Sequence, residues 1–264
     1  MQIETGATSM PCPAKISCLF RHACILVLCA AASFAYAGQE EDSNLLAMAR
    51  QGNLSLLNKM VDLGASLNAI DRHGNNAVLM AVEGGQYAML RYLLDRNVSP
   101  NARGGSGFTP LGHAVMRGNR QYFRLLLDKG ASPDEPTANG ESPLHLAVRF
   151  KRPDMLAALL AAGARPDPVD LQGISPLVAA IQVGDDAMFN ALIAANADVN
   201  RKDREQRTPL YWALFERRET MALALLDRGT LLDEPVYGYR PLRWARVMEM
   251  YAAAATMDSS GALE

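Results

Sequence analysis

Apolar positions along the chain fall into two alternating patterns. One is a run of large apolar pairs four residues apart: Met89-Leu90 with Leu93-Leu94, Met155-Leu156 with Leu159-Leu160, and Met188-Phe189 with Leu192-Ile193. That spacing places one continuous stripe on a helix, so each run predicts a helix with a single buried face. The other pattern pairs a Leu with a small Ala three residues later: Leu111 with Ala114, Leu144 with Ala147, Leu177 with Ala180 and Leu210 with Ala213. It predicts a shorter helix whose Ala side lets neighbouring helices approach closely. The two alternate with a fixed period of 33 residues and no insertion, over 71–103, 104–136, 137–169 and 170–202. A period of this length means one supersecondary unit stacked on copies of itself, because a single unit cannot cover its own apolar face.

The polar punctuation has the same period. Each unit has Gly in fourth place, at Gly74, Gly107, Gly140 and Gly173, where a tight turn needs positive φ. Two residues on stand Asn76-Ala77, Thr109-Pro110, Ser142-Pro143, Ser175-Pro176 and Thr208-Pro209. Those pairs read as an N-cap followed by the first helical residue, where Pro has no N–H to leave unpaired. The second helix of each unit is expected to stop at Gly64, Asn97, Gly130, Gly163, Asn196 and Gly229, residues that accept a left-handed C-terminal conformation.

These runs, above all Thr109-Pro110-Leu111, Ser142-Pro143-Leu144-His145-Leu146-Ala147 and Asn196-Ala197-Asp198-Val199-Asn200, resemble the ankyrin repeat over roughly residues 39–257. The resemblance implies an all-α solenoid of helix-turn-helix units with β-turn fingers: about six repeats and a C-terminal partial cap, ending in a disordered tail over 258–264. The terminal units depart from the pattern, as capping units do. The first lacks the turn Gly and Thr-Pro but keeps helical runs at Leu45–Arg50 and Leu54–Leu63. The sixth has Gln206 in place of Gly. The seventh keeps Gly238, Pro241, Leu242 and Ala245, and its stretch 251–255 reads as an extension of its first helix rather than a second one.

Residues 1–37 lie outside the repeat. Lys15 and Arg21 precede an apolar run over 24–32, and Ala35-Tyr36-Ala37 follows it. This is the arrangement of a secretory signal peptide, with cleavage expected after Ala37. Met10 is an alternative start. An uncleaved anchor and a lipid on Cys29 are the competing readings; the run is short for a span, and Leu28 stands where a lipoprotein has a small residue. All four Cys (Cys12, Cys18, Cys24 and Cys29) lie in this leader, so the mature chain has no thiol for a disulfide, a nucleophile or a metal. The expected destination is the bacterial periplasm, with secretion as a further possibility.

Charge narrows the partners. The chain carries a net −2, and losing Lys15, Arg21 and Glu4 with the leader makes it −3, so general attraction to nucleic acid or anionic lipid is not expected. The repeats occupy the chain and leave no room for a separate catalytic domain. Gly104-Gly105-Ser106-Gly107 resembles a phosphate loop only superficially, since Gly107 is the turn Gly of its repeat and no Lys-Ser/Thr follows. His73, His113 and His145 occupy different places in their repeats, which argues against a shared metal site. By resemblance His145 bonds backbone between fingers, His113 is core or partly exposed, and His73 sits on a turn tip. Asp185-Asp186 suits the start of a helix, and Trp212 and Trp244, in the same place of adjacent units, read as core packing. No catalytic residue, cofactor or metal ligand is expected.

The ankyrin resemblance implies binding of a folded protein partner through the turn fingers and the exposed ends of the first helices. Carried over place by place, the finger residues are Arg72, His73 and Asn75, then Phe108, Glu141, Leu171 and Ile174, then Arg207, Tyr237 and Tyr239. The helix-end residues are Met116 and Arg117, Arg149 and Phe150, and Phe215. Aromatic anchors mixed with Arg are the composition of binding hot spots. The expectation is a non-enzymatic, monomeric interaction module of the cell envelope that binds a folded protein on its concave face. Toxin or effector neutralisation, or support of a periplasmic enzyme, are its family-level roles. A hydrolase or metal enzyme is the rival class.

Overall fold

A computed structural model describes residues 42–232 and 235–262; the expected leader lies outside the described residues. Within them the chain is helical, with two isolated antiparallel bridges, Ile70 with Asn76 and Val236 with Tyr239, and no strand. The first unit contains α1 (42–51) and α2 (Leu54–Asp62). The next three contain α3 (Ala77–Glu83) with α4 (Tyr87–Asp95), α5 (Pro110–Arg117) with α6 (Arg120–Asp128), and α7 (Pro143–Arg149) with α8 (Pro153–Ala161). The last three contain α9 (Pro176–Val183) with α10 (Asp186–Ala194), α11 (Pro209–Phe215) with α12 (Glu219–Asp227), and α13 (Pro241–Val247) with α14 (Tyr251–Ser259).

Each first helix packs on its own second helix and on the first helices before and after it, in the order α3, α5, α7, α9, α11, α13. The small residues allow this. Ala81, Ala114, Ala147, Ala180, Ala213 and Ala245 are wholly buried at the same place in successive units. One apolar cluster runs from Leu45 to Met257, so no unit has a separate core. That is the one-dimensional cooperativity of a solenoid.

The predicted punctuation is present. Asn76, Thr109, Ser142, Ser175 and Thr208 each accept a hydrogen bond from the backbone N–H three residues on. The residues at the ends of the second helices have positive φ: Gly64, Asn97, Gly130, Gly163, Asn196 and Gly229. The fingers are joined to one another: Ala138 N–H donates to the Gly107 carbonyl at 2.8 Å, Leu171 N–H to Asn139 at 3.1 Å and Arg204 N–H to Gln172 at 3.2 Å. Three of the turns are held by an aspartate in first place. Asp71, Asp170 and Asp203 each accept the backbone N–H groups two and four residues on.

Two expectations about the C-terminal cap are corrected. The seventh unit has a true second helix, because Glu249 turns to φ 61° and separates α13 from α14. The alanine run then supplies a narrow stripe, with Ala253, Ala254 and Met257 buried and α14 packed on α12 and α13. Nor does the described chain fray at Asp258: that residue lies inside α14 and pairs with Arg246 at 2.9 Å, and Ala262 packs against the core.

Candidate functional site

The sixth and seventh units carry a cluster of aromatic rings on the finger side, with Tyr211 at its centre. Tyr211 is buried, and its ring stacks on Phe215 at 5.8 Å with an interplanar angle of 19°. It meets Trp212, Tyr237 and Trp244 edge-on at 5.8, 6.2 and 5.3 Å. Tyr239 continues the series against Trp244 at 5.8 Å. Offset and edge-to-face geometries suit ring quadrupoles, so the rings hold each other in fixed orientations. The outer members remain open to solvent: Phe215 is 46% exposed, Tyr237 61% and Tyr239 41%. A cavity of about 310 Å³ lined by Tyr239, Arg243, Trp244 and Val247 adjoins them.

Charged groups frame this shelf. The Arg207 guanidinium lies 4.3 Å over the Trp212 ring and donates to the buried Asp203 carboxylate at 2.7 Å and to Glu205 at 2.9 Å. Asp203 also accepts the Trp212 indole N–H at 3.1 Å, and Glu205 accepts the Tyr237 hydroxyl. Arg243 sits 4.5 Å over Tyr239. The indoles of Trp212 and Trp244 are half-buried and hydrogen-bonded, as packing groups rather than a cage.

The expected contact residues fall into separate groups. Arg207, Phe215, Tyr237 and Tyr239 come together on the shelf. Leu171 is exposed in the neighbouring finger, while Ile174 is half-buried. Glu141 and Arg149 are committed to each other at 2.7 Å, with burial pushing the Glu141 carboxyl up despite the guanidinium beside it. Arg149 also lies 5.0 Å over Phe150. At the other end Arg72 and His73 are exposed, and Asn75 is tied to Asp71 at 2.7 Å.

Phe108 and Phe150 are placed differently from free anchors: both are half-buried and pack against the core, Phe108 with its ring 5.3 Å from His113. The half-buried Met116 stands beside Arg117, which shares a cavity at the α5–α6 corner with Arg120, Arg152 and Asp154. The residue missed from the sequence is Tyr211. It occupies the ninth place of its unit, held by Gly112, His145 and Val178 elsewhere, and a bulky aromatic there was the available signal.

The two buried histidines are structural. His145 Nδ1 accepts from the Ser142 N–H at 3.2 Å, so the proton sits on Nε2, which donates to the Ile174 carbonyl of the next finger at 2.9 Å. His113 is buried, with Nε2 3.3 Å from Glu83 and 3.4 Å from Ser106 Oγ, while its Nδ1 is buried without a partner. The Glu-His-Ser set is not a hydrolytic relay, because acid and hydroxyl meet the same nitrogen, whereas a relay needs them on opposite ones. Among the described residues no three His, Cys, Asp or Glu side chains gather as a metal site.

Burial lowers both pKa values from the ordinary 6.5; the Ile174 carbonyl opposes this at His145, and Glu83 opposes it at His113. A folded state that disfavours the charged form is stabilised above the unfolded pKa and loses that stability as pH falls below it. The urea midpoint should therefore be flat from pH 8 to 7 and decline below about pH 6.5. The double variant His113→Gln and His145→Gln should be less stable at neutral pH, with a shallower decline between pH 6.5 and 5.

A family model described as Ankyrin repeats (3 copies) matches residues 44–137, 99–170 and 144–236. The chain belongs to the ankyrin-repeat family, whose members are general protein–protein interaction modules and are typically non-enzymatic. No curated protein matches the chain. Among the described residues, no helix is long and apolar enough to cross a membrane.

Proposed function

We propose that the protein is a non-enzymatic interaction module of the bacterial cell envelope that is exported by a leader cleaved after Ala37 and binds a folded protein in the periplasm. The observation that carries the binding surface is the shelf of Phe215, Tyr237 and Tyr239, three exposed rings, the first two held by buried Tyr211 and the third by Trp244, framed by Arg207 and Arg243. Pre-oriented rings lose little freedom on contact, so burying them under a partner yields net affinity. This surface lies at one end of the repeat array rather than along all the fingers.

The test is capture from the periplasmic fraction of the source cells, followed by titration of whatever partner is captured. Phe215→Ala with Tyr237→Ala should weaken that partner by about 2–4 kcal/mol while moving the melting temperature little. Mass spectrometry of the native protein should place its N-terminus at Gly38. Unchanged partner affinity in the double variant removes the shelf from the interface, and a cytosolic protein that retains residues 1–37 removes export.

A further inference from the structure

On the side away from the fingers, the corners between first and second helices differ in charge. Two of them share a construction: the Arg152 guanidinium lies against Gly118, and Arg218 lies in the same way against Gly184, two units on. A Cβ at Gly118 would stand 2.6 Å from Arg152 Cζ, and one at Gly184 2.5 Å from Arg218 Cζ, so a side chain there would displace the guanidinium from this position. In both, Nε is buried without a hydrogen-bond partner. At the Arg218 corner, two acidic residues, Asp185 and Asp186, directly follow Gly184. At the Arg152 corner Gly118 is instead flanked by Arg117 and followed by Asn119 and Arg120, and the carboxylate lining its cavity, Asp154, is paired with Arg120.

That cationic corner opens into a groove. A cavity of about 550 Å³ beside Arg117 and Arg152 adjoins one of about 220 Å³ over Phe123, Met155 and Ala158, and another of about 480 Å³ beside Tyr87 and Leu125. Arg120 lines all three, and Arg124 lines the last two. Four arginines thus meet two carboxylates, Asp154 and Asp128. Among the described residues, Arg120 is the one of the four in an ion pair, with Asp154 at 2.6 Å. On a chain of net −2 this is a local excess of positive charge.

We propose that this groove binds an extended acidic segment of a protein partner. Its carboxylates would be held by Arg117, Arg124 and Arg152, and its apolar side chains would rest between α4, α6 and α8. Guanidinium forks match carboxylate geometry, so exposed guanidinium edges along the groove suit carboxylate ligands. The apolar floor favours a polypeptide over free phosphate, which has no use for it. Recession of that floor between helices disfavours a bilayer, which is met by protruding apolar groups. The proposal does not rest on the aromatic shelf.

The probe is a fluorescein-labelled peptide of alternating Glu and Leu, titrated with the purified chain and followed by anisotropy. Saturable binding is expected at low salt, weakening as NaCl rises from about 50 to 200 mM. Arg117→Glu with Arg124→Glu should weaken it about tenfold or more at unchanged helix content, since both side chains are exposed. The matched reversal Arg201→Glu with Arg204→Glu, and the shelf variant Phe215→Ala with Tyr237→Ala, should leave it unchanged. If the groove reversal alters folding, the single Arg124→Gln should still weaken binding about threefold. Equal loss in both charge reversals, or no loss in the groove variants, overturns the proposal. So does displacement of the peptide by inorganic phosphate at equal charge concentration, or capture of the chain by phosphatidylglycerol vesicles without peptide binding.

Discussion

Asp203→Ala is expected to destabilise the C-terminal third of the solenoid by about 3–5 kcal/mol, because it strips a buried carboxylate from four donors at once. Asp203 is 3% exposed. It accepts the Glu205 and Arg207 backbone N–H groups at 2.9 Å each, the Arg207 guanidinium at 2.7 Å and the Trp212 indole at 3.1 Å. Without it the sixth finger loses its turn, Arg207 keeps only the exposed Glu205, and Trp212 is left with an unmet N–H. Gln206 makes this finger the least self-sufficient, since a non-glycine residue there holds φ at 64°. Asp203→Asn should recover part of the loss: an amide oxygen still accepts the two backbone N–H groups, while the ion pair is gone. Urea unfolding followed by tryptophan emission is the measurement, since both indoles of the chain, Trp212 and Trp244, lie in this region. An Asp203→Ala protein with the unfolding midpoint of the parent would remove the carboxylate as the organiser of the shelf.

Ala147→Glu should have a comparable or larger effect, about 3–5 kcal/mol, through a different mechanism. Ala147 is wholly buried on α7, which packs against α5, α8 and α9. A glutamate there adds volume where two helices already meet closely and brings a charge with no cation to receive it. Because stability in a solenoid is the sum of unit and interface terms, the break at the fourth unit should divide the array rather than melt one end. Hydrogen exchange should show protection falling first across α5, α7 and α9. Ala157→Glu, an exposed position on neighbouring α8, is the control and should change stability by less than about 0.5 kcal/mol.

Much of the local structure was legible in the residues because it depends on short-range chemistry. Five N-caps, the positive-φ residues that end the second helices and the turn glycines each follow from one side chain and its neighbours. The His145 bridge was legible through the family pattern. The seventh unit was misread because alanine carries little periodic signal. Ala252 and Ala255 are exposed while Ala253 and Ala254 are buried, a difference made only by the packing of α14 on α12 and α13.

The candidate site was legible as composition and not as arrangement. Phe108 and Phe215 are equally apolar residues at places expected to face a partner, yet one packs on the core beside His113 and the other lies open on Tyr211. What the sequence determined by itself was the period, the helices, their caps and the solenoid, because helix periodicity and turn chemistry act over a few residues. Tertiary structure alone decided which rings share a surface, which arginines pair with a carboxylate and where α14 ends, because those depend on contacts between units about 33 residues apart.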